Sequence, residues 1–169
     1  VVVSGPIKGT GRTPGDLTPK DDAENVMIVD LVRNDLGAVS RTGSVSVPHL
    51  LALEEHPGLV HLVSYVRGEL RDGTGWEQLL AATFPPGSVT GAPKSSALRI
   101  IDEVERAPRG PYCGAIGWVD ADRGTAELAV AIRTGAGMVL HTGDFKMDQL
   151  PLDGRITDLR AFARLGEEG

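Results

Sequence analysis

Residues 84–105 read FPPGSVTGAPKSSALRIIDEVE, a bend followed by a helix. Pro85, Pro86 and Gly87 interrupt regular structure, and Gly91, Ala92 and Pro93 bring the backbone to a helix start with little side-chain bulk in the way. Ser95 or Ser96 is placed to cap that helix. Ala97, Ile100, Ile101 and Val104 then recur at i, i+3, i+4 and i+7, so one face is expected to turn to a core. Small residues and free N–H groups at such an entrance suit an anionic ligand. The same letters also describe a Pro/Gly loop ahead of an ordinary amphipathic helix, so the segment acquires a function only in company.

Upstream, Trp76–Thr83 reads as a short helix, and Leu59–Leu70 alternates as a strand. Val60, Leu62, Ser64 and Val66 share one of its faces; His61, Val63, Tyr65 and Arg67 share the other. His61 is either a general acid/base or a hydrogen-bonded passenger on a half-buried strand. Ser44–Val47 alternates and is expected to stop at Pro48. Asp21 or Asp22 is expected to cap a helix that runs from Ala23 to Leu36-Gly37, with Glu24 and Asn25 in its first turn. Its Asp30, Arg33, Asn34 and Asp35 form a polar face that equally suits an ion-pair network. Gly11 to Pro19 is a polar loop of the kind that covers sites. Before it, Val1–Val3 forms a short strand and Lys8 stands beside a turn. A lysine against a pocket can act as a nucleophile; a solvated surface lysine is the plain alternative.

Downstream, Tyr112–Val119 and Ala126–Arg133 are joined by Asp120-Ala121-Asp122-Arg123-Gly124, the pattern of a hairpin. Arg133 follows small residues on its face, a suitable place for a carboxylate fork or for a strand-end arginine in solvent.

Composition narrows the classes. The 169 residues are enough for one modest domain, and the 4% aromatic content means a core of Val, Leu, Ala and Ile. A net charge of −6 without a basic stripe argues against a nucleic-acid binder that neutralises phosphates. No apolar run is long enough to cross a membrane, and the chain reads as cytoplasmic. Cys113, the single cysteine, excludes an internal disulfide.

Taken together, PIKGT at 6–10, AENVMIVDLVRNDLG at 23–37, GSVSVP at 43–48, HLVS at 61–64, FPPGSVTGAPK at 84–94, ALRIIDEVE at 97–105, YCGAIGW at 112–118 and AIRT at 131–134 resemble, in order, the C-terminal part of chorismate-utilising enzymes. That family includes anthranilate synthase component I, aminodeoxychorismate synthase component I, and the isochorismate and salicylate synthases. With its lysine, PIKGT looks like the aminodeoxychorismate synthase form, whereas anthranilate synthases carry alanine there. The resemblance implies an α+β fold of antiparallel strands with packed helices, a partial chorismate-binding domain. It implies Lys8 as covalent nucleophile and His61 near the departing hydroxyl. Tyr112, Arg133 and the backbone around Gly91 would hold substrate carboxylates, Thr90 would bind substrate from the pocket-lining turn, and Glu24 would bind Mg²⁺. It further implies chorismate as substrate and a glutamine amidotransferase subunit or domain as ammonia source; the alternatives are anthranilate formation and a non-catalytic fragment. The family's general-acid glutamate precedes PIKGT and its second Mg²⁺-binding glutamate follows AIRT, so the chain alone is expected to be catalytically incomplete.

From about Gly137 the text changes to GMVLHTGDFKMDQLPLDGRITDLRAFARLGEEG, which resembles an internal segment of ribonuclease J, of the metallo-β-lactamase fold. On that reading the domain ends at 134, residues 135–169 are a foreign tail, and the chain is chimeric or mis-joined. Asp144 would be the tail's metal-binding aspartate, but no HxHxDH string accompanies it, and His49, His56, His61 and His141 lack that spacing. The tail is expected to form a strand at 138–142 and a helix at 157–165.

Overall fold

The computed structural model describes residues 1–110, 112–120, 122–134 and 137–141, with side chains up to Leu128. It divides into two compact units, Val1–Ala107 and Pro108–Gly169.

The first unit runs β1 (Val2–Ser4), β2 (Ile7–Gly11), a 3-10 turn at Pro14–Asp16, α1 (Pro19–Gly37), β3 (Ser46–His56), β4 (Leu59–Gly68), α2 (Trp76–Thr83), the one-turn α3 (Gly87–Thr90) and α4 (Lys94–Val104). β4 is the central strand. β1 pairs with it at Val66–Gly68 and β2 at Val60–Val63, end to end on one flank, while β3 pairs along the other; all are antiparallel. The face read from the sequence holds in that Val60, Leu62, Ser64 and Val66 are all buried, and Val63 on the opposite face is buried as well. α1 lies over that face. Its Val29 and Leu36 close a core with Val66, and Val2, Val32, Val45 and Val47 pack around it. Each such aliphatic side chain contributes roughly 1.5–3 kcal/mol by leaving water.

Beyond shifts of one or two residues at strand ends, several boundaries differ from the sequence reading. The N-cap of α1 is Thr18, not Asp21 or Asp22. Asp21 instead sits at the third helical position and accepts from the Thr18 N–H and Oγ1 at 2.8 and 2.7 Å, a reciprocal capping box led by Pro19. β3 does not stop at Pro48 but continues to His56. Pro48 falls inside the first of two register shifts, where the ladder is already interrupted and its missing N–H costs little. Gly87, expected with Pro85 and Pro86 to interrupt regular structure, instead opens one helical turn, Gly87–Thr90. α4 starts at Lys94 behind Pro93, and neither Ser95 nor Ser96 caps it.

The apolar stripe of α4, expected to face a core, is open within this unit: Ile100 and Val104 are 54% and 70% exposed. α4 is joined to the unit through α3 and the Lys94 side chain. Among the described residues no helix is long and apolar enough to cross a membrane.

The second unit contains the expected hairpin, β5 (Gly114–Asp120) and β6 (Thr125–Thr134), extended by β7 (Gly137–His141) into a three-stranded antiparallel sheet. The Asp120 carboxylate accepts from the Asp122 and Arg123 amides at 3.1 Å each and so fixes the turn. β7 covers most of the strand expected at 138–142. Asp144 and the helix expected at 157–165 lie outside the described residues.

Candidate active site

Lys8 and Glu24 meet. Lys8 stands on β2 and Glu24 in the second turn of α1, and Nζ lies 3.7 Å from Oε2, both side chains half-exposed. Lys20, one turn earlier on α1, approaches the other carboxylate oxygen at 3.4 Å. Gly9 makes the approach of strand and helix feasible: its φ is +93°, and a Cβ there would lie 2.9 Å from the Asp21 Cβ and 3.3 Å from Leu17 and Leu62. Any side chain at 9 would therefore push the first turn of α1 off the strand.

Beneath this pair lies Asn25, fully buried. Its Nδ2 donates to the Leu62 carbonyl at 3.0 Å and, at the longer distance of 3.5 Å, to the Lys8 carbonyl. Its Oδ1 accepts from Ser64 Oγ at 2.5 Å, and Ser64 Oγ accepts in turn from the Leu51 amide at 2.9 Å.

His61 projects from the face of β4 opposite Ser64. Its Nδ1 is hydrogen-bonded to Thr10 Oγ1 at 2.9 Å, Thr10 being its cross-strand partner on β2. The His56 ring lies edge-on to it at 5.2 Å. Farther along the same face the Tyr65 hydroxyl donates to the Glu54 carboxylate, and burial together with that bond pushes the Tyr65 hydroxyl pKa well up.

Thr90 and Gly91 belong to a separate attachment on α1. Gly87, at the start of α3, packs on Leu31, where an added Cβ would meet the Leu31 Cδ1 at 3.1 Å. Thr90 Oγ1 donates back to the Pro86 carbonyl at 3.1 Å, closing the turn, and Gly91 leaves it with φ +104°. Lys94 anchors the start of α4 by donating to Asp35 at 2.7 Å and to the Ala82 carbonyl at 2.8 Å. Leu31 is two helical turns from Glu24 on the same side of α1, roughly 10 Å along the axis. Tyr112 lies in the second unit, 41% exposed, with the Arg109 guanidinium 5.4 Å from its ring centroid. The backbone of Arg133 pairs with Met138, and its side chain is outside the described residues.

The carboxylate of Glu24 offers hard oxygen to Mg²⁺, but both oxygens already face ammonium groups. Among the described residues no three His, Cys, Asp or Glu side chains converge on one point. Glu24 alone therefore does not complete a magnesium coordination shell.

Sequence reasoning missed Thr10, Lys20 and the buried position of Asn25. The place of Asn25 on the helical stripe of Ile28, Val29, Val32 and Leu36 is the available signal, since an asparagine on a buried face needs partners there.

Residues 2–143 match the family described as chorismate binding enzyme. The anthranilate synthase component 1 of Saccharolobus solfataricus is 50% identical over 115 residues, which are 68% of this chain and 27% of that protein. A protein of Oryza sativa subsp. japonica named "Probable aminodeoxychorismate synthase, chloroplastic" is 42% identical over 151 residues, 82% of this chain and 16% of that one. The crystal structure of anthranilate synthase component I from Streptococcus pneumoniae TIGR4 superposes with a TM-score of 0.64 at 38% identity, covering 76% of this chain and 30% of that one. The chain thus spans less than a third of the length of these relatives, and it belongs to the chorismate binding enzyme family.

Proposed function

We propose that the protein aminates chorismate to 4-amino-4-deoxychorismate, with ammonia from a glutamine amidotransferase and Lys8 as covalent nucleophile. The neutral Lys8 amine attacks C2 as the 4-hydroxyl departs with a proton, as water; ammonia then adds at C4 and the lysine nitrogen leaves C2. The net change is chorismate plus ammonia to the amino product plus water. His61 delivers the proton to the departing hydroxyl. The family likeness gives the substrate carboxylates to Tyr112, Arg133 and the backbone around Gly91, and to Thr90 a pocket-lining role. Glu24, with oxygens from substrate and water, would take part in binding Mg²⁺.

The observation that carries this reading is the Lys8–Glu24 contact of 3.7 Å. It supports an amine held at a defined place on β2 rather than one waving in solvent, and to react Lys8 must leave that pair as the free base.

A second reading, formation of anthranilate, is favoured by the names of relatives such as that of Saccharolobus solfataricus at 50% identity. Product analysis separates the two. The intact protein is incubated with chorismate, ammonium and MgCl₂, and products are resolved by chromatography, with Lys8→Ala alongside. On the first reading 4-amino-4-deoxychorismate forms and Lys8→Ala abolishes it. Anthranilate formation that survives Lys8→Ala would establish the second.

A further inference from the structure

The ladder between β2 and β4 pairs Ile7 with Val63 and Thr10 with His61. Two residues, Lys8 and Gly9, therefore stand opposite one, Leu62, which is a β-bulge at the position of the nucleophile proposed above. A bulge breaks the ladder locally, leaves backbone groups without their regular partners and re-aims a side chain. The amide of Asn25 reaches into this gap from α1. It donates to the carbonyl on the bulged side, Lys8, and to the carbonyl on the opposite side, Leu62.

We propose that Asn25 is the positioning residue that clamps the Lys8–Gly9 bulge and so sets the aim of Lys8 toward its reaction partner. The inference rests on the reading of Lys8 as nucleophile.

Burial and chemistry support the clamp. Asn25 and Ser64 are both fully buried, where polar groups are costly unless satisfied, and the two satisfy each other at 2.5 Å. An apolar side chain of similar volume could fill such space without a network, so filling alone does not require an amide. An amide adds direction: with Oδ1 held by Ser64, Nδ2 is turned toward the two carbonyls. The neighbouring residue on the helix is Glu24, so the bond that fixes the bulge also fixes the rotation of α1 that brings Glu24 to Lys8. Misplacing a reacting group by about 1 Å costs on the order of 100-fold in rate.

The test uses the intact protein with Asn25→Asp, which keeps the shape and replaces the donor by an acceptor, and with Ser64→Ala, which frees the amide to rotate while removing a single hydroxyl. Turnover of chorismate gives kcat and KM below the melting transition, and amide hydrogen exchange is followed over residues 7–11. Asn25→Asp is expected to lower kcat about 100-fold with KM nearly unchanged, and Ser64→Ala to lower it less. Exchange at Lys8–Gly11 should accelerate in both while that of the core strand β4 stays slow. Exchange over 7–11 equal to wild type in a folded variant would overturn the clamp, as would a kcat loss no larger than the unfolded fraction. Should Asn25→Asp fail to fold, Ser64→Ala indistinguishable from wild type in both readouts overturns it as well. The exchange measurement needs no turnover, so it stands even if the unsubstituted protein leaves chorismate unchanged, an outcome that would instead sink the proposed function.

Discussion

Lys94, in the first turn of α4, reaches across to Asp35 in the last turns of α1, with Nζ 2.7 Å from Oδ2 and both side chains largely buried, 20% and 17% exposed. The same ammonium also takes the Ala82 carbonyl at the end of α2, so one cation joins three helices. Removing either partner leaves a poorly solvated group without its counterpart.

Asp35→Asn is therefore expected to lower unfolding stability by about 2 kcal/mol, the scale of a hydrogen bond to a charged group. Lys94→Met should cost a similar amount. The double variant should cost less than the sum, because the two share one interaction. Urea unfolding of the four proteins checks it; strict additivity would mean that the pair is not coupled.

Gly9→Ala should destabilise more than an ordinary surface substitution, by roughly 1–3 kcal/mol. The position is left-handed, and the added methyl would meet Asp21, Leu17 and Leu62. Gly58, equally left-handed but with open space around it, serves as control. Gly58→Ala should cost less, and equal thermal shifts would refute a role for crowding at 9.

Two carboxylates are tied into caps. Hydrogen bonds from the Thr18 hydroxyl and amide hold Asp21 below the ordinary aspartate value of 3.8, and bonds from the Thr13 amide and hydroxyl do the same for Asp16. A folded pKa below the unfolded one means stability that is present above about pH 4 and lost as pH falls through the lower, folded value. Thr18→Ala removes the cap, at a cost of about 1 kcal/mol near neutrality. It should also flatten the acid limb of a stability-against-pH curve; an unchanged limb would show that the capping box does not titrate with folding.

Tyr65 gives the opposite sign at the alkaline end. Burial, then the bond to Glu54, raises its pKa, so its contribution is complete below pH 10 and is lost as pH rises through the folded value. The absorbance difference between wild type and Tyr65→Phe should show no phenolate step near pH 10 in the folded protein. A step there would place the hydroxyl in water.

Alternation and capping explain how much of the fold is legible in the sequence. β4 is readable because every second residue from Val60 is buried, although Val63 on the other face is buried as well, and α2 coincides with Trp76–Thr83 as read. The sequence reading ends β3 at Pro48 because proline removes a ladder donor, a penalty that vanishes inside a register shift that sequence does not display. It makes Asp21 or Asp22 the cap because aspartate caps well; that Thr18 takes the role and Asp21 the reciprocal one is decided by Pro19, whose fixed φ starts the helix earlier. In the site, a family likeness names Lys8 and Glu24, and the structure brings them together. The burial of Asn25 has a signal in the helical pattern, but its partners escape sequence reasoning because they are carbonyls and a serine far along the chain, which no local pattern encodes.

α1 works as a gauge. Glu24 and Asn25 are fixed to the bulged strand near its beginning, Leu31 seats the small turn ahead of Thr90, and Asp35 holds α4. One residue gained or lost between Asn25 and Leu31 would turn the later contacts about 100° around the axis and shift them about 1.5 Å along it. This stretch of helix can exchange letters, but it cannot change length without parting the amine from the glycine bend that shares its scaffold.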